Sequence, residues 1–128
     1  MKPTILIVDD EDSIREFYIL GLKECGFSVL SAKNGLDGLK IAETQRPDAV
    51  VLDIVMPGLN GFEVCAKIRE IPELSKTAVV FTSAKSYKSD IDRAMELGAD
   101  VYLIKPFEMN DLIRAIEGAY HKKNPGVS

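Results

Sequence analysis

Five short apolar runs alternate with five longer stretches of helical spacing along almost the whole chain, and that alternation decides the class of fold. The runs are Thr4–Val8, Phe27–Leu30, Ala49–Leu52, Ala78–Phe81 and Val101–Ile104, each rich in Val, Ile or Leu. Runs this short and continuous suit parallel strands buried on both faces. In the intervening segments Ile14, Phe17 and Leu20 repeat at three, and Leu36, Leu39 and Ile41 lie close together. Phe62, Cys65 or Ala66, and Ile68 or Arg69 follow, then Ile91, Ala94, Met95 and Leu97, then Leu112, Ile113, Ile116 and Tyr120. Each set is read as the apolar face of a helix. Stop signals agree, with Gly26, Pro47, Pro72 and Gly98 after the first four helices. The expectation is an α/β fold: a single-domain, right-handed, doubly wound (βα)5 three-layer sandwich on a parallel five-stranded sheet. Residues 1–123 form this domain. Residues 124–128 (Asn-Pro-Gly-Val-Ser) have no periodicity and read as a flexible tail or the start of a linker.

Composition narrows the function. Of 128 residues 46% are hydrophobic and 28% charged, which argues against disorder and fibres. Sixteen basic against twenty acidic residues give a net charge of −4, which offers no basic stripe and so no direct nucleic-acid binding. No apolar run approaches the ~18 residues of a membrane span. Met1-Lys2-Pro3 meets Asp9-Asp10 too soon for a secretory signal. Cys25 and Cys65 lack both CxxC spacing and a histidine pair, so both are expected as small buried hydrophobes in a reducing cytoplasm. His121, beside Lys122 and Lys123, reads as a cation at a helix end.

In an open parallel sheet, ligands bind beyond the carboxyl ends of the strands. The first run ends in Asp9-Asp10-Glu11-Asp12, the third in Asp53, the fourth in Thr82-Ser83-Ala84 and the fifth in Lys105-Pro106. Only the second, ending Ser31-Ala32-Lys33, offers nothing distinctive. Singly, Asp12 or Ser13 could cap a helix, Asp53 could open a turn before Pro57-Gly58, and Lys105 could be a solvated charge. Jointly these readings fail, because two carboxylates about 4 Å apart repel by about 4 kcal/mol at an effective dielectric near 20. Something positive must sit among Asp9, Asp10 and Asp53. Lys105 supplies one charge, and a divalent cation supplies two. An all-oxygen donor set with room for water favours Mg²⁺ over a caged Ca²⁺, and no thiolate or imidazole is at hand for zinc. Such a pocket suits a phosphoryl group, with cations on its equatorial oxygens while a carboxylate attacks phosphorus.

With these residues in hand the sequence resembles the receiver domain of bacterial two-component response regulators. The resemblance rests on Ile7-Val8-Asp9-Asp10, on Leu52-Asp53-Ile54-Val55-Met56-Pro57-Gly58 with Gly61, and on Ser83-Ala84. Gly98-Ala99-Asp100 and Tyr102-Leu103-Ile104-Lys105-Pro106-Phe107 complete it, so it covers about residues 4–120. It implies a flavodoxin-like strand order 2-1-3-4-5. It also implies that Asp53 is the nucleophile accepting phosphate from a kinase's phosphohistidine. Asp10, Asp53 and the backbone carbonyl of Val55 would ligate Mg²⁺, with Asp9 acting through a bound water. Lys105 would pair with the phosphoryl group, and the Lys105–Pro106 bond is usually cis in this family. Thr82 and Ser83 compete for the hydroxyl position. Adjacent strand residues face opposite sides, and Ser83, which precedes Ala84, is favoured.

The implied mechanism is a two-state switch in which the phosphoryl group draws Ser83 and opens space for Tyr102 to rotate inward. Tyr102 as a simple packing aromatic remains the alternative. Val55 and Lys85 flank the pocket at positions that tune phosphate lifetime in this family. Apolar Val55 offers nothing to orient an attacking water, so slow self-dephosphorylation is expected. The implied role is regulatory, not enzymatic. The implied partners are a sensor histidine kinase or phosphotransfer protein, and a downstream target or fused output domain. Homodimerisation after phosphorylation, through the faces of the fourth and fifth helices, is a further expectation. A receiver fold used as a phosphorylation-independent binding module is the alternative. A flavin site would be repelled by Asp9-Asp10-Glu11-Asp12, a P-loop motif is absent, and the second Asp of aspartyl phosphatases is replaced by Val55.

Overall fold

A computed structural model describes residues 2–126. The elements are β1 (Thr4–Val8), α1 (Asp12–Glu24), β2 (Ser28–Ala32), α2 (Gly35–Gln45), β3 (Ala49–Asp53) and α3 (Gly61–Glu70). A 3-10 turn at Pro72–Leu74 precedes β4 (Ala78–Ser83), α4 (Lys88–Glu96), β5 (Val101–Ile104) and α5 (Met109–Lys123). The sheet is parallel with order 2-1-3-4-5, as the resemblance implies. Among the described residues no helix is long and apolar enough to cross a membrane.

Side chains of a strand alternate between faces, and the two cores follow from that alternation. Ile5, Ile7, Val51 and Val80 face Tyr18 and Leu22 of α1 and Leu112 and Ile116 of α5. Leu6, Val8, Leu52 and Phe81 face Leu39 and Ala42 of α2, Phe62, Cys65 and Ile68 of α3, and Ala94 of α4. Burial on both faces holds for β1, β3 and β4 but not for β2 and β5, which lie at the sheet edges. Ile104 is 42% exposed.

Several sequence expectations need correction. The Ile14–Phe17–Leu20 stripe of α1 is not the buried face, since Phe17 is 59% and Leu20 62% exposed. Burial runs instead through Tyr18 and Leu22, four apart. The aromatic body of Tyr18 stacks on Phe107 with ring centroids 5.8 Å apart, so a residue with a polar tip fills a core position. Leu36 and Met95 are likewise exposed. Cys65 is buried as expected, whereas Cys25 caps the end of α1 and is exposed. Strands β2, β3 and β4 extend beyond their apolar runs to Ala32, Asp53 and Ser83, because ladder pairing continues into polar residues.

The edge of the sheet remote from these strand ends is tied by side chains. The Arg69 guanidinium donates to the carbonyls of Gly98 (2.8 and 3.0 Å) and Thr77 (2.9 Å) and pairs with Asp100 at 3.2 Å. Asp100 in turn accepts from the Val79 amide (2.8 Å) and meets Lys123 at 3.4 Å. Gly98 has φ +101°, and a Cβ there would fall 2.9 Å from Arg69. Asn124 closes α5, its backbone and side-chain N–H groups both donating to the Tyr120 carbonyl (2.9 and 3.0 Å). Val127 and Ser128 of the expected tail, and Met1 of the expected N-terminus, lie outside the described residues.

Candidate functional site

Because β1 and β3 are neighbours, the carboxylates at their carboxyl ends meet. Asp9 and Asp10 lie just past β1, and Asp53 is the last residue of β3. One carboxylate oxygen from each falls within 4.8 Å of the others. Asp9 is 1% and Asp53 7% exposed, while Asp10 is open to solvent. The Lys105 ammonium arrives from the end of β5, 3.3 Å from Asp53 Oδ1 and 3.6 Å from Asp9 Oδ2. The Lys105–Pro106 peptide is cis. Gly61 lets α3 start against this rim, for a Cβ there would lie 2.5 Å from the Asp53 carbonyl oxygen.

The electrostatics follow from crowding. Burial, together with Asp9 and Asp10, pushes the Asp53 carboxyl up to about 6, while Lys105 pulls the other way. Asp9 Oδ1 accepts from the Glu11 amide (2.9 Å). Among the described residues Asp9 Oδ2 is the one buried side-chain nitrogen or oxygen without a hydrogen-bond partner. Three carboxylates against one ammonium leave two negative charges, which a divalent cation would balance. An all-oxygen donor set with an orphaned buried oxygen fits a hard ion such as Mg²⁺.

The two hydroxyl candidates separate cleanly. Thr82 is fully buried, with its Oγ1 3.5 Å from the Leu52 carbonyl. Ser83, one residue on, lines a cleft of about 290 Å³ together with Asp10, Asp53, Val55, Lys85 and Lys105. The Lys85 amide donates to Ser83 Oγ (3.0 Å), and the Lys85 carbonyl accepts from the Tyr102 hydroxyl (2.9 Å). The Tyr102 ring is half-buried, packed beside Phe81 with centroids 6.5 Å apart, while its hydroxyl bond to Lys85 lies at the surface. Val55 has an exposed side chain at the lip.

Neither Asp12 nor Ser13 caps α1; the N-cap is Glu11, without a side-chain bond. Arg15, not among the residues expected at the site, donates through Nη1 to the Asp9 carbonyl (2.8 Å) while Nη2 pairs with Asp12. A signal was present: Arg15 is the single cation in the run from Asp9 to Glu16. Tyr18 was also missed as a neighbour of the site. Burial pushes its phenol well up, with Asp9, Asp53 and Glu11 acting in the same direction.

A doubly wound α/β domain with a cation-hungry acidic rim at its switch point is therefore the class of protein defined by fold and site. The response regulator receiver domain family matches residues 5–117, and the chain belongs to it. The chain is similar to the transcriptional regulatory protein AfsQ1 of Streptomyces coelicolor, 38% identical over 117 residues (89% of this chain, 51% of that protein). It is 40% identical over 119 residues to the alkaline phosphatase synthesis transcriptional regulatory protein PhoP of Bacillus subtilis (91% of this chain, 49% of that protein). In structure it resembles the Vibrio cholerae chemotaxis protein CheY4, with TM-score 0.88 and 26% identity over 93% of this chain and 99% of that one. The chain thus spans about half the length of the curated relatives it matches.

Proposed function

We propose that the chain is a phosphoacceptor switch in which Asp53 takes a phosphoryl group from the phosphohistidine of a sensor histidine kinase or phosphotransfer protein. The convergence of three carboxylates and Lys105 on one rim carries this reading. An Asp53 oxygen attacks phosphorus, forming the O–P bond of an aspartyl phosphate. The P–N bond breaks and its electron pair returns to the imidazole. Lys105 offsets charge on the equatorial oxygens. Asp10, Asp53 and the Val55 backbone carbonyl would hold Mg²⁺, with Asp9 reaching it through water, and the ion supplies charge neutralisation to the transferring group. Val55 gives an attacking water no polar handle, which favours a long-lived phosphoryl group.

Ser83 Oγ accepts from Lys85 and keeps its own proton for a phosphoryl oxygen. Drawing Ser83 inward shifts residues 83–85 and, with them, the carbonyl that holds Tyr102. The surface of α4, β5 and α5 then changes its partner preference by a population shift. The receiving partner is a target protein or a fused output domain, homodimerisation across this surface is one outcome, and the site of action is the cytoplasm. The domain is regulatory, assisting its own phosphorylation and dephosphorylation, and contacts no nucleic acid itself.

Transfer of label from radioactive acetyl phosphate tests this. Mg²⁺-dependent labelling that disappears in Asp53→Asn is expected. An unlabelled wild-type chain would overturn the reading in favour of a phosphorylation-independent binding module.

A further inference from the structure

We propose that Arg15 is a positioning residue of the acidic pocket, bracing the backbone between Asp9 and Asp10 so that both carboxylates point at the cation. The inference rests on the magnesium-dependent reading above. Asp9 leaves the sheet at this point. Its amide still donates to the Ala32 carbonyl of the neighbouring strand (3.2 Å), while its own carbonyl turns to the Arg15 guanidinium (2.8 Å). The peptide plane carrying that carbonyl joins Asp9 to Asp10, so fixing it orients both residues at once. The second nitrogen of the fork meets the Asp12 carboxylate, a pair three residues apart within the first turn of α1. The Arg15 side chain is 15% exposed and that of Asp12 80%, so the brace is anchored on its inner contact. With the carbonyl held, Asp9 Oδ1 keeps its bond from the Glu11 amide (2.9 Å) and Oδ2 stays turned toward Lys105 (3.6 Å).

Two effects of Arg15 on metal binding have opposite signs, which makes the proposal decidable. As a charge, a guanidinium on the Asp9 carbonyl repels a divalent ion bound nearby, and removing it should tighten Mg²⁺ binding. As a brace, its loss lets the loop wander and should weaken binding. Supports outside the ligand set commonly contribute about 10-fold or more to metal affinity. Lysine keeps the charge but lacks the planar fork that reaches two acceptors.

The experiment is Mg²⁺ calorimetry on the full chain, on Arg15→Ala, on Arg15→Lys and on Asp12→Asn, with exchange of the Glu11 amide followed by NMR in metal-free protein. The brace predicts roughly 10-fold weaker Mg²⁺ binding in both Arg15 variants, a change under about 3-fold in Asp12→Asn, and faster Glu11 exchange in both Arg15 variants. Unchanged or tighter Mg²⁺ binding by Arg15→Ala overturns it, and so does an equal loss in Asp12→Asn. If wild-type protein bound no Mg²⁺, the phosphoacceptor reading would fall. The amide data would then decide the brace alone: unchanged Glu11 exchange rejects it, and faster exchange upholds it.

Discussion

Lys105 Nζ lies 3.3 Å from Asp53 Oδ1, joining the end of β5 to the end of β3 across the intervening β4. This contact makes the acidic rim tolerable in the absence of metal. Lys105→Met should therefore cost the metal-free protein about 1–3 kcal/mol in urea denaturation, because buried carboxylates lose their counter-charge. Added Mg²⁺ should recover part of that loss and should bind the variant more tightly than it binds wild type. Equal urea midpoints for the two proteins would show that Lys105 carries no such load.

The raised Asp53 carboxyl gives a pH dependence with a definite sign. Its folded value of about 6 stands above the ordinary 3.8, so ionising it costs folding stability at neutral pH. That cost is full well above pH 6 and is relieved as pH falls toward 3.8. Relative to Asp53→Asn, metal-free wild type should gain about 1–2 kcal/mol between about pH 7.5 and about pH 4.5, after allowing for screening at the open rim. Saturating Mg²⁺ should flatten the trend. A difference between the two proteins that ignores pH would contradict the crowding described here.

Ser83 and Thr82 separate transmission from packing. Ser83→Ala should still accept label on Asp53 but should lose the change in Tyr102 ring resonances that labelling produces. Thr82→Val, a buried substitution of similar volume, should keep both, at a stability cost of about 1 kcal/mol. The reverse pattern would assign the hydroxyl to Thr82.

At the opposite edge, Arg69→Ala should lower stability by about 3 kcal/mol, since the Gly98, Thr77 and Leu74 carbonyls and Asp100 lose their shared donor. Arg69→Lys should recover less than half of this, as one ammonium cannot replace the fork. Mg²⁺ affinity of the folded variants should stay at the wild-type value. A loss of metal binding would mean that the two edges are coupled.

Much of the architecture was legible because apolar runs and glycine or proline stops are local signals. The strand ends were not, since pairing such as Asp53 with Thr82 extends the ladder where hydrophobicity has already ceased. The buried face of α1 is not legible from its aliphatic spacing, because a tyrosine with a polar tip fills the core position while Phe17 and Leu20 face solvent. The placement of the carboxylates, Ser83 and Lys105 on one rim was legible because each stands at or just past the end of a strand. Arg15 was not, because its role depends on a backbone carbonyl, which leaves no trace in side-chain patterning. Cys25 was expected inside, but its place at a helix end leaves it outside.

The residue between Ser83 and Tyr102 engages both through its main chain, with the Lys85 amide on one side and the Lys85 carbonyl on the other. The Lys85 side chain is left to face the cleft. Any amino acid except proline could supply the same two main-chain groups. The side chain at position 85 can therefore be exchanged without breaking the main-chain bridge that ties the Ser83 hydroxyl to the Tyr102 phenol.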